Sequence, residues 1–163
     1  MNASRIARPG LRLQLARLGA VRVLGIDLGT RRIGLSVSDE DGRIAFPAGT
    51  LERKSKRADF AALCRLVRER GIGRAVVGLP LHMNGRAGPE AEAARAFATA
   101  LAEAAAIPVE LLDERWTSVA AHRSLRESGR RVVEKHGKGI VDEVAATLLL
   151  STYLERRRNL EGA

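Results

Sequence analysis

The stretch VLGIDLGTRRIGLSVSD, residues 23–39, decides the fold. Val23, Leu24, Ile26 and Leu28 make a short apolar run, so Val21 to Leu28 reads as a buried strand. Ile33, Leu35 and Val37 then alternate with small or polar residues, which makes Arg31 to Ser38 a second, half-buried strand. Gly29 and Thr30 leave room only for a tight turn, so the two strands form a hairpin. Gly25, Gly29 and Gly34 suit turn geometry and close backbone approach. One residue does not fit the pattern. Asp27 sets a carboxylate among apolar neighbours, and such a group is costly unless something compensates it.

Working outward, DEDG at 39–42 is a turn and Arg43 to Leu51 a third strand. Ser55 reads as the N-cap of a helix whose apolar face is Phe60, Leu63, Cys64 and Val67, with Gly71 as its stop. AVVGLP (75–80) is wholly apolar, as expected of a central strand covered on both faces. The loop LHMNGRAG leads into an alanine-rich helix over 89–106, and VELLDE (109–114) is a fifth strand. Thr117 caps a further helix to Glu127, SGRRVVEKHGKG (128–139) reads as a mobile basic loop, and a last helix spans 140–157. The expected order is β-β-β-α-β-α-β-α-α. It gives a five-stranded mixed sheet, three antiparallel strands then two parallel strands, flanked by helices.

The chain has 163 residues, enough for one domain with its own core. The expected division is a basic extension at 1–20, a domain at 21–158 and a tail at 159–163. The extension carries Arg5, Arg8, Arg12 and Arg17 and no acid, and the arginines break every apolar run, so it is not a signal peptide. Cys64 is the one cysteine, which excludes an internal disulfide and fits a cytoplasmic protein. No stretch is long and apolar enough to span a membrane. The net charge is +9 and aromatics are 3%, which favours a polyanionic partner, nucleic acid first, held through phosphates rather than by base stacking.

In an open α/β sheet, sites form at the carboxyl ends of the parallel strands. Asp27 lies near the end of the first strand and Asp113 and Glu114 at the end of the fifth. Asp142 falls in the first turn of the last helix, where the dipole favours a carboxylate. These acids can converge on one edge. Their repulsion would be relieved by a divalent cation, and all-oxygen ligands suit Mg²⁺ or Mn²⁺. Two such ions about 3.5–4 Å apart can activate a water and stabilise a leaving oxygen of a phosphodiester. Asp27, Glu114 and Asp142 are the expected metal ligands. Asp113 is a fourth catalytic candidate, but neighbours on a strand point to opposite faces, so only one of Asp113 and Glu114 is expected to be a ligand. Glu114 is favoured, with Asp113 bracing the turn or pairing with Arg115. Arg31, Arg32, Asn84, Arg86, Arg115 and Lys138 are the candidate nucleic-acid contacts, positioned for phosphate.

Four segments in order, GIDLGTRRIGLSVSD, VVGLPLHMNGRAG, LLDERWTS and VDEVAATLLLSTYL, together resemble the YqgF/RuvX family. The resemblance covers about residues 21–155. It implies an RNase H-like fold and a pre-16S rRNA nuclease, also described as Holliday-junction-resolvase-like. It places Asp27, the Asp113–Glu114 pair and Asp142 at the family's acidic positions. The implied partners are structured RNA, branched DNA as the alternative, and ribosome precursors, with the protein a monomer or homodimer. Two other readings compete. GIDLGT also resembles the first phosphate loop of actin-like ATPases, but those need two such domains. A non-catalytic ribosome-assembly module would not need the acids.

Overall fold

The computed structural model describes residues 21–116 and 138–162. The side chains of Trp116 and of residues 138–141 lie outside that description, as do residues 1–20 and the helix and basic loop expected over 117–137.

Strands β1 (Arg22–Leu28) and β2 (Arg32–Ser38) pair antiparallel, with Leu28 opposite Ile33 and Asp27 opposite Gly34. β3 (Ala45–Glu52) pairs antiparallel with β2 and begins two residues later than expected. Helix α1 (Lys56–Glu69) carries the chain back, and Ser55 caps it by accepting from the Ala58 N–H at 3.2 Å. β4 (Ile72–Leu79) then lies parallel to β1, helix α2 (Pro89–Ala105) follows, and β5 (Val109–Asp113) lies parallel to β4. The sheet order is β3-β2-β1-β4-β5, so β4 is interior, as the apolar stretch from Ala75 to Leu79 requires. The strand begins at Ile72, three residues earlier than expected, and takes in Arg74, which pairs with Glu110 of β5. A 3₁₀ turn (Glu114–Trp116) follows β5, so the fifth strand ends one residue earlier than expected. Helix α3 (Lys138–Glu161) closes the domain.

Strand alternation sorts the core into two layers. Leu24, Ile26, Ile33, Leu35, Val37, Ala75, Val77 and Leu79 face α1 and α2 and pack on Leu63, Val67, Phe97 and Leu101. Phe60 and Phe97 stack with ring centroids 5.1 Å apart. Val23, Val76 and Leu112 face the other way, onto Leu149, Leu150, Tyr153 and Leu154 of α3. Ser36 fixes that helix by donating to the Ala146 carbonyl at 2.7 Å. The odd positions of β1 face α3, and Asp27 is one of them. The expected mixed sheet with flanking helices is thus the observed one. No helix among the described residues is long and apolar enough to cross a membrane.

Candidate active site

Asp27 lies one residue from the end of β1, half-buried, with a glycine beside it on each neighbouring strand. On β2 its partner is Gly34. On β4 the parallel register pairs Ile26 with Val77, which sets Gly78 beside Asp27. Both glycines exist to let something come close. A side chain at Gly34 would strike the Asp142 carbonyl oxygen of α3, and one at Gly78 would strike the Glu114 carboxylate, with Leu149 Cδ1 at 2.9 Å. Asp27 therefore sits in a notch, with the backbone of Asp142 over one glycine and the carboxylate of Glu114 over the other.

Among the described residues nothing donates a hydrogen bond to the Asp27 carboxylate. Burial, first, and the charge of Asp142, second, push its pKa up from 3.8 to about 6. That coupling places the two carboxylates within electrostatic reach. Asp142 itself is held by Arg32, whose Nε donates to Oδ2 at 2.9 Å. The helix begins at Lys138 rather than Ile140, so Asp142 is its fifth residue. It lies beyond the first turn, and the dipole favours it less than expected. Glu143, the next residue, points elsewhere. Its Oε1 accepts from the Gly49 N–H of β3 at 2.8 Å.

Asp113 is drawn away from this group. Both its oxygens accept from Arg115, the shortest bond being 2.7 Å from Nη2, and Oδ1 also takes the Arg115 backbone N–H at 3.0 Å. This is the bracing pair expected from the sequence. Arg115 also reaches the Met83 carbonyl at 3.4 Å and lies against Gly85, so it ties the 81–87 hairpin to the end of β5. Asn84 closes the hairpin tip by accepting from the Arg86 N–H at 3.0 Å, leaving its oxygen a turn role. Arg31 and Arg86 are exposed and make no ion pair among the described residues. The turn bearing Arg31 is fixed from below. Arg53 donates to the Gly29 carbonyl at 2.9 Å and pairs at 3.5 Å with buried Asp59, which opens α1. Lys138 starts α3 and is not part of a loop.

The structure thus brings Asp27, Glu114 and Asp142 to one end of the α3 face and sets Asp113 apart. Among the described residues no three acidic, histidine or cysteine side chains are grouped as a ready-made metal cage. The donor set still fits a hard cation: three carboxylates, one of them half-buried and, among the described residues, without a donor. Sequence reasoning missed the Arg32–Asp142 pair and the role of Gly78. A glycine interrupting the apolar run of β4 was the one available signal.

An acidic edge on an open mixed sheet of this order defines an RNase H-like α/β domain. A family model described as "RuvX: Holliday junction resolvase" matches residues 21–156, and the chain belongs to that family. A Chloroflexus aurantiacus protein named "Putative pre-16S rRNA nuclease" is 46% identical over 137 residues, 84% of this chain and 88% of its own. A Koribacter versatilis protein of the same name is 48% identical over 136 residues, 83% and 88% of the two chains. Among solved structures, Thermus thermophilus RuvC in complex with Holliday junction substrate superposes with a TM-score of 0.56 at 15% identity. The match covers 85% of this chain and 96% of that one. Membership in this family, rather than among the actin-like ATPases, answers the ambiguity of GIDLGT.

Proposed function

We propose that the protein is a divalent-cation-dependent endonuclease that hydrolyses phosphodiester bonds in structured nucleic acid, with the 5′ end of pre-16S rRNA as its substrate. One observation carries the reading: Asp27, half-buried and without a donor among the described residues, set between two glycines that admit Glu114 and Asp142. A stiff strand holds a carboxylate in an unfavourable setting, and at neutral pH a bound cation makes that setting favourable. Asp27, Glu114 and Asp142 would hold Mg²⁺ or Mn²⁺, which supplies an activated water and charge stabilisation for the departing oxygen. Arg31 and Arg86 receive the substrate's phosphates, since both are exposed and uncommitted among the described residues. Arg115 keeps the 81–87 hairpin in place beside them. The relatives' name supports the ribosomal RNA substrate. The family description supports branched DNA as the second reading.

Cleavage of a pre-16S rRNA fragment and of a four-way DNA junction, assayed side by side with Mg²⁺ or Mn²⁺, tests both. The RNA is expected to be cut faster, and excess EDTA to stop all cleavage. Undiminished cleavage in EDTA would remove the metal from the mechanism. Phosphate contacts carry no base information. Arg31→Gln and Arg86→Gln should therefore weaken binding across sequences alike. Each should flatten the log–log salt dependence by about 0.9 on duplex DNA or about 0.7 on single strands. A salt titration with the wild-type slope in both variants would move the nucleic acid elsewhere, for instance to the arginines of residues 1–20.

A further inference from the structure

The charge beside Asp142 is already balanced in part, and by a group that can leave. Arg32 Nε donates to Asp142 Oδ2 at 2.9 Å, and each side chain is 32% exposed. No other side-chain partner holds Arg32 among the described residues, although Glu52 is its neighbour in the β2–β3 register. The acids around it are otherwise engaged or lack a cation. Glu143 is tied to Gly49 and Asp113 to Arg115, while Asp27 has no donor among the described residues.

We infer that Arg32 is the divalent cation's rival for Asp142. It holds that carboxylate when no ion is bound, and is released to a substrate phosphate when the ion takes its place. The inference rests on the metal reading above and adds a coupling to it. A guanidinium and a hard cation cannot both take the same carboxylate oxygen at full strength, so each weakens the other's hold. A half-exposed ion pair is weak enough to be displaced, and its loss should change ion affinity by about two- to fivefold. Once freed, Arg32, which opens β2 next in the chain to the exposed Arg31, adds a phosphate contact. Metal and nucleic acid should then strengthen each other's binding, by the same factor in both directions.

The test reads metal binding without any turnover. Free Mn²⁺ is followed by its EPR signal in a titration of wild type, Arg32→Gln, Arg32→Lys and Asp27→Asn. Arg32→Gln is expected to bind Mn²⁺ about two- to fivefold more tightly than wild type, Arg32→Lys close to wild type, and Asp27→Asn far more weakly. A labelled four-way DNA junction is then bound with and without Ca²⁺, which fits oxygen ligands but is expected not to support cleavage. Wild type should gain more affinity on adding Ca²⁺ than Arg32→Gln does. Equal or weaker Mn²⁺ binding by a folded Arg32→Gln, with Asp27-dependent binding in wild type, overturns the rivalry and leaves the metal reading standing. No Mn²⁺ binding by wild type overturns both.

Discussion

Asp27→Asn is expected to abolish cleavage and, without divalent ions, to leave the protein more stable than wild type at neutral pH. The swap keeps the size of the side chain and removes the charge a hard cation requires. Lewis-acid stabilisation of several kcal/mol, at about 1.4 kcal/mol per tenfold, puts the loss on the order of 10³-fold. Stability follows from linkage. The Asp27 carboxyl rises from 3.8 to about 6 on folding, through burial and then the Asp142 charge. Its favourable contribution is therefore complete below pH 3.8 and lost as pH climbs through about 6. At pH 7 wild type holds a carboxylate at a cost of at most about 3 kcal/mol, which asparagine avoids. Thermal melts at pH 7.5 in EDTA should show Asp27→Asn above wild type by up to roughly 6–12 °C, at about 2–4 °C per kcal/mol. The gap should close below pH 4, and Mg²⁺ should narrow it at pH 7.5 by stabilising wild type alone. A variant that cuts at wild-type rate, or melts no higher than wild type at pH 7.5, would contradict the assignment.

The second large effect belongs to Gly34→Ala. The new methyl falls on the Asp142 carbonyl oxygen, which is backbone in α3 and has no side-chain freedom to yield. The start of the helix must lift from the sheet. Overpacking of this kind costs about 1–3 kcal/mol, and the upper end is expected here. Activity should fall further, because displacement of a catalytic group by about 1 Å can cost 10²-fold. Gly78→Ala offers the contrast. Its methyl meets two side chains, the Glu114 carboxylate and Leu149 Cδ1 at 2.9 Å, and no backbone, so stability should fall less while cleavage still suffers. Denaturant melts and initial rates on one substrate compare the two. Equal stability of Gly34→Ala and wild type would mean that α3 does not approach the sheet as closely as described.

Local signals in the chain carried most of the architecture. Alternation in 23–37 marked the hairpin and put Asp27 on the face away from Leu24 and Ile26. The apolar stretch of β4 from Ala75 to Leu79 placed it inside the sheet, and Ser55 marked the start of α1. Glu114 and Asp113 do part, as expected, but not by strand alternation: β5 ends at Asp113, Glu114 opens a 3₁₀ turn, and Arg115 holds the Asp113 carboxylate. What stayed hidden were pairings between distant residues. Arg32 and Asp142 are 110 positions apart, and Glu143 and Gly49 are 94 apart. No periodicity links such positions, because the pairing depends on where α3 lands on the sheet. Arg32 and Arg31 looked alike in sequence for the same reason. Only the fold engages one and leaves the other exposed.

Helix α3 has two duties that the chain delivers together. It supplies the apolar cover over Val23, Val76 and Leu112, and it brings Asp142 to Asp27. Both arrive more than 100 residues after the strand they complete. During synthesis, a chain that has made β1 to β5 but not α3 has neither a closed interior nor a full set of acids. On the proposed assignment of Asp27, Glu114 and Asp142, competence to cut and resistance to degradation would begin together, when α3 docks.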